Sequence, residues 1–173
     1  MELKGSTFLL RGWCLTDAES LQRSADNKNV SDFLMDRFPC PFTMADAETW
    51  VKRWEHQYPV INFAIVDSNN VVIGGIGLEF RADIYCKTPL LGYWLAQPFW
   101  GKGIMSSAVA LISHYAFNKL GAICITAYAL SNNPASMRVL EKAGFIRQGV
   151  INKSVIKNNQ VLDEHIFALQ APE

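Results

Sequence analysis

The stretch from Leu90 to Ala129 constrains the fold more than any other part of the chain. Leu90 to Ala96 is an apolar run that predicts a buried strand, closed by Pro98, which has no N–H to give a ladder. Two glycines, Gly101 and Gly103, follow at once. From Gly103 to Lys119 the apolar residues Ile104, Ala108, Leu111, Ile112 and Tyr115 recur with helical period. Lys119 suits the negative end of that helix and Gly121 its C-cap. Ala122 to Ala129 then reads as a second buried strand. Strand, turn, helix and strand in this order predict a βαβ unit with parallel strands. At its turn the unpaired helix N–H groups and the helix dipole favour an anion. The glycines let backbone approach such a ligand, and Lys102 adds positive charge. The turn lacks the Lys-Ser/Thr ending of a nucleotide P-loop, and Ser106 stands where a dinucleotide fingerprint has its third glycine. A glycine turn before an ordinary core helix is the alternative reading at this point.

The flanking sequence is legible in the same terms. Phe8 to Trp13 reads as a short strand, and Thr16 or Asp17 caps a helix carrying Ala18 and Leu21. Asn29 to Asp36 reads as a second short helix, ended by Pro39-Cys40-Pro41. A third starts at Thr43 or Asp46, sets Trp50 and Trp54 on one face, and is closed by Pro59. Ile61 to Val66 and Val71 to Phe80 form a hairpin around Asp67-Ser68-Asn69-Asn70. Beyond the βαβ unit, Asn133 caps a helix with Pro134 at its first position, running to Ala143 and stopping at Gly144. Strands at Phe145 to Lys153 and Val161 to Leu169 close the chain around Asn158-Asn159. The expectation is an α/β (α+β) fold, one domain over residues 1–173. Its twisted sheet is mixed, mostly antiparallel, of about seven strands flanked by helices, with the βαβ unit at its centre.

Composition narrows what such a domain handles. Half of the 173 residues are hydrophobic, which suits a full core and excludes a disordered polyelectrolyte. Sixteen basic residues balance sixteen acidic ones, so nothing steers the chain to nucleic acid or an anionic membrane. No apolar run reaches the ~18 residues of a membrane span, and the N-terminal one is too short for a secretory leader. Cys14, Cys40, Cys86 and Cys124 are scattered with no Cys-x-x-Cys pair. They read as reduced thiols of a cytoplasmic protein, and no metal is expected.

A second segment, Asn132-Asn133-Pro134-Ala135-Ser136-Met137-Arg138 through Gly144-Phe145, gives the first its meaning. With Gly92-Tyr93-Trp94 through Met105, it resembles the motifs of the GNAT superfamily of N-acetyltransferases. The likeness is strongest to the ribosomal-protein-alanine branch, the RimJ/RimL-like acetyltransferases. It extends over nearly the whole chain, including Phe38-Pro39-Cys40-Pro41-Phe42-Thr43 leading into Trp50, and Asp163-Glu164-His165. The family's pyrophosphate signature, Gln/Arg-x-x-Gly-x-Gly/Ala, falls on Trp100-Gly101-Lys102-Gly103-Ile104-Met105. Gly103 fits it, whereas Trp100 and Met105 depart from it.

The resemblance implies acetyl-CoA as co-substrate, with its pyrophosphate on the turn formed by Trp100, Gly101, Lys102, Gly103, Ile104, Met105 and Ser106. Its pantetheine arm would add along Trp94, Leu95 and Ala96, where the strand splays from that at Ala122 to Ala129. A neutral amine would attack the thioester directly, with a backbone N–H near Leu95 stabilising the oxyanion. Ser136 matches the hydroxyl that protonates the departing thiolate, and Asn133 would hold the pantetheine arm. Asn133 followed by Ser136 is also the pattern of plain helix capping.

No residue is marked as the general base. The place where many relatives carry a glutamate holds Leu90, so Glu79 is the first choice, its alternative being an ordinary exposed strand-end carboxylate. His165, Asp83 and Glu164 come after it, and a water chain could carry the proton instead. His114 reads as a packed histidine. Trp50, Trp54, Phe38 and Phe42 either wall an acceptor cleft or simply pack their helix. Gly74, Gly75 and Gly77 suggest a bulge or a close backbone approach. The implied acceptor is a protein N-terminal amine or a small-molecule amine, and a homodimer is left open. A degenerate acyl-CoA-binding sensor or interaction module is the competing class, suggested by Trp100, Met105 and Leu90.

Overall fold

The computed structural model describes residues 1–172. Its strands are β1 (Glu2–Lys4), β2 (Leu9–Arg11), β3 (Asn62–Val66), β4 (Val72–Glu79), β5 (Leu90–Leu95), β6 (Cys124–Leu130), β7 (Ile146–Lys157) and β8 (Gln160–Gln170). The helices are α1 (Ala18–Ala25), α2 (Lys28–Ser31), α3 (Met44–Trp54), α4 (Ile104–Lys119) and α5 (Pro134–Lys142). The sheet has eight strands in the order β1-β2-β3-β4-β5-β6-β8-β7. Strands β5 and β6 pair in parallel, while β1–β2, β2–β3, β3–β4, β6–β8 and β7–β8 pair antiparallel. The mixed, mostly antiparallel α/β fold is thus as the sequence predicts. The additional strand is β1, whose Glu2-Leu3-Lys4 is too short to show a period.

The chain packs as two compact units, residues 1–77 with 93–104, and residues 78–92 with 105–173. In the first, α1 turns Leu21 and Ala25 inward and α3 turns Ala47 and Val51 inward, each pair four residues apart on one helix face. They join Trp13, Phe42, Ala64, Val66, Val72 and Trp94 in one core. A large apolar side chain so buried contributes roughly 1.5–3 kcal/mol. Helix α3 begins with a capping box, Thr43 Oγ1 accepting from the Asp46 amide and Asp46 from the Thr43 amide. The Thr43 bonds hold the Asp46 carboxyl below its ordinary range.

Two glycines of β4 permit a close approach. A Cβ on Gly74 would lie 2.6 Å from the Trp94 carbonyl oxygen, and one on Gly75 2.7 Å from Trp94 Nε1. The second short helix is smaller than expected, because α2 ends at Ser31 and the chain from Asp32 to Arg37 continues in turns and irregular backbone.

In the second unit β6 alternates, burying Ile125, Ala127 and Ala129. It pairs with β8 from Cys124↔Gln170 to Leu130↔Glu164, and β7 lies outside β8. The β7–β8 hairpin is longer than expected and shifts register at Arg147/Gly149 and Ile151/Val155. Bulges of this kind break the alternation on which a sequence reading depends. Helix α4 buries Met105, Ala108, Val109, Ile112, Tyr115 and Ala116. His114 departs from expectation: it is exposed on α4, its Nδ1 3.2 Å from Asn118 Nδ2. It stands two residues from Ile112 and from Ala116, on the outer face.

Candidate active site

Strand β5 ends at Leu95, and a short 3₁₀ turn, Gln97–Phe99, carries the chain to the glycines. Gly101 and Gly103 have φ of +74° and +77°, a region open to glycine and strained for other residues. Gly101, Lys102 and Gly103 are exposed, and a Cβ on either glycine would meet nothing within 4 Å. The glycines therefore serve backbone conformation and leave open space above the turn. Ile104 and Met105 begin α4 with their side chains buried, at 7% and 6% exposure. Met105 thus turns away from the open face, and its size presents no obstacle there. The first N–H groups of α4 have no preceding helical turn to bond, and such groups together with the helix dipole favour negative charge. Lys102 Nζ rests 5.3 Å from the Phe99 ring centroid, a cation–π contact that keeps it at the turn.

The β5 strand leads into this turn with its own backbone partly committed. The register of β5 with β6 comprises Leu90↔Thr126 and Leu91↔Ala127 and involves the first two residues of a strand that runs to Leu95. The Ala96 amide donates to the Ile73 carbonyl at 2.8 Å. Trp100 folds back so that its indole Nε1 donates to the Leu95 carbonyl at 2.7 Å. Gln97 Oε1 accepts from both Asn27 and Asn29 at 3.0 Å each. The roles of Gln97, Asn27 and Asn29 are invisible in the sequence, since the bonds span 68 and 70 residues and no motif marks them.

Asn133 caps α5: its Oδ1 accepts from the Ser136 amide at 3.1 Å. Ser136 is half-buried in the first turn of that helix. Glu79 is exposed at the end of β4. Asp83 is exposed, and Glu164 and His165 lie half-buried in β8, with His165 Nδ1 3.5 Å from Arg147 Nη1. Among the described residues no group of His, Cys, Asp and Glu side chains is poised to hold a metal ion. No helix among them is long and apolar enough to cross a membrane.

The aromatic residues pack against one another. Trp13 meets Trp50 edge-on at 6.2 Å, Phe38 stacks on Phe42 at 4.9 Å, and Phe38 approaches Trp94 at 5.7 Å. Trp54 lies 5.8 Å from Trp50, and neither indole N–H has a partner among the described residues.

A strand, a two-glycine turn and a helix start with an open surface thus follow one another in the chain. Residues 7–146 match the profile of the acetyltransferase (GNAT) domain. The chain belongs to the GNAT acetyltransferase family. As a GNAT protein it is an N-acetyltransferase, of a family that uses acetyl-CoA. It is 32% identical over 177 residues to the probable N-acetyltransferase YjcK of Bacillus subtilis, covering 99% of this chain and 98% of that one. It is also 31% identical over 115 residues to the ribosomal-protein-serine acetyltransferase of Escherichia coli, covering 65% and 63% of the two chains. Among solved structures, a GNAT acetyltransferase from Bacillus anthracis superposes with a TM-score of 0.84 at 23% identity, covering 98% of each chain. A Vibrio cholerae spermidine N-acetyltransferase in complex with CoA and spermine superposes with a TM-score of 0.78 at 18% identity, over 96% of each chain. At these identities the two structures share its fold.

Proposed function

We propose that this GNAT enzyme moves the acetyl group of acetyl-CoA to a primary amine in one direct step, as a cytoplasmic member of the RimJ/RimL-like branch. The open, glycine-built turn at the start of α4 carries this reading. Gly101 to Ser106 would hold the pyrophosphate by backbone N–H groups, with Lys102 adding charge. The pantetheine arm would run along Trp94, Leu95 and Ala96. The amine lone pair attacks the thioester carbonyl, the carbon–sulfur bond breaks, and the sulfur leaves as thiolate. The amine proton departs through water or Glu79, and the thiolate takes a proton from Ser136, whose oxygen regains one from water, so that the amine's proton replaces the one given to sulfur. The Leu95 N–H would stabilise the charge on the carbonyl oxygen in between.

A protein N-terminal amine is the first acceptor class, supported by the ribosomal-protein-serine acetyltransferase among the relatives. Small-molecule amines come second. The discriminating experiment follows thiol release from acetyl-CoA with peptides beginning in Ala or Ser, with spermine and with aminosugars. Release above background with a peptide is expected. The Gly103→Val variant, strained at φ +77°, should bind CoA at least about tenfold more weakly. Unchanged affinity in that variant would displace the phosphate from this turn. Thermal stabilisation by acetyl-CoA, with no thiol release from any acceptor, would instead favour a sensor.

A further inference from the structure

The peptide unit joining Leu95 to Ala96 is anchored at both ends by different parts of the first unit. Its N–H, on Ala96, donates to the Ile73 carbonyl of β4 at 2.8 Å. Its carbonyl, on Leu95, accepts from the Trp100 indole at 2.7 Å. In a planar trans peptide these groups point in opposite directions, so the Leu95 carbonyl faces away from Ile73. In an extended strand a residue's own N–H and carbonyl share one side, so the Leu95 N–H faces the same way as the carbonyl that Trp100 holds. The indole thus adds a second anchor, beside the Ile73 bond, to the peptide unit that directly follows the N–H the proposed reaction needs. Trp100 is 41% exposed, so burial of a large apolar ring does not explain its fixed geometry. The turn beneath it is independently fixed, since the Phe99 and Trp100 amides donate to Ala96 and Gln97 carbonyls at 3.0 and 3.1 Å.

We infer that Trp100 is a positioning residue: its indole N–H pins the Leu95 carbonyl and so aims the Leu95 N–H at the reacting thioester, while the phosphates are held by the glycine turn. This rests on the acetyl-transfer reading above and gives Trp100 a role that the pyrophosphate signature does not contain. A lost hydrogen bond of this kind should change the rate about two- to tenfold.

The test compares Trp100→Phe, which keeps an aromatic ring and loses the N–H, with Trp100→His. The Nε2 of histidine occupies the place of the indole nitrogen along the side chain and retains a donor. Free CoA affinity is measured by calorimetry, turnover with acetyl-CoA and an Ala- or Ser-initiated peptide or spermine, and stability by thermal melting. The expected result is a two- to tenfold lower kcat for Trp100→Phe, CoA affinity within about twofold of the parent, and a kcat for Trp100→His nearer the parent. A parental kcat in Trp100→Phe would overturn the inference. So would equal losses of kcat and melting temperature in both variants, which mark a structural role. Absence of transfer by the parent enzyme to every acceptor would overturn the catalytic reading itself, a different outcome from parental transfer that survives Trp100→Phe.

Discussion

Asn133 accepts the backbone N–H of Ser136, so the cap of α5 depends on that amide and not on the serine hydroxyl. Ser136→Ala leaves the capping bond in place. If the hydroxyl protonates the departing thiolate, this variant should lower kcat about a hundredfold or more while melting temperature and CoA affinity hold. Steady-state kinetics beside a thermal melt check this, and a parental kcat would remove Ser136 from the chemistry. Asn133→Ala has the complementary signature, costing about 1 kcal/mol of stability through the lost cap. The two readings of this short motif, chemistry and capping, therefore separate onto neighbouring residues.

Strand β4 owes its glycines to its neighbour. Gly74 sits where a methyl group would press against a carbonyl oxygen of Trp94, backbone that has no rotamer by which to yield. Gly74→Ala should destabilise the protein by roughly 1–3 kcal/mol, read by denaturant titration. It should also weaken turnover, because Trp94 immediately precedes Leu95, whose carbonyl Trp100 holds. Full activity together with full stability would show that β5 shifts at no cost. The sequence announces a close approach through Gly74-Gly75-Ile76-Gly77, but not what approaches. Helix α3 is the opposite case. Its start is written locally in Thr43 and Asp46, three positions apart, and the capping box forms as those side chains dictate.

At the scale of the whole molecule, sixteen basic residues against sixteen acidic ones leave no surplus charge to gather a polyanionic co-substrate. Under the proposed function, backbone amides at the start of α4 would serve that purpose without one. The charge that is buried is structural. Arg11 meets Asp17 through two hydrogen bonds of 2.8 and 2.7 Å, the side chains being 11% and 4% exposed. Arg11 Nε reaches Asn70 in the β3–β4 turn at 2.8 Å. The bonds to Asp17 hold the guanidinium above its ordinary value, so it stays charged throughout the accessible pH range. Arg11→Met would leave the Asp17 carboxylate buried with the Cys14 amide still donating to it, and should cost about 3 kcal/mol in a denaturant titration. A loss below about 1 kcal/mol would show that the pair is hydrated in solution.

Sequence alone determined the features that depend on near neighbours: the strand–glycine turn–helix order, the caps of α3 and α5, and the zero net charge. Together with the resemblance they carry, these were enough to point to the family. Tertiary structure decided everything that joins distant positions. Trp100 reads as a departure from a signature until its indole is seen on the Leu95 carbonyl. Met105 reads as a bulky departure from the same signature until its side chain is seen buried. His114 reads as core until α4 turns it outward. The reason is physical: propensity and capping act over a few residues, whereas burial and hydrogen bonding act between whatever the folded chain brings within about 3 Å.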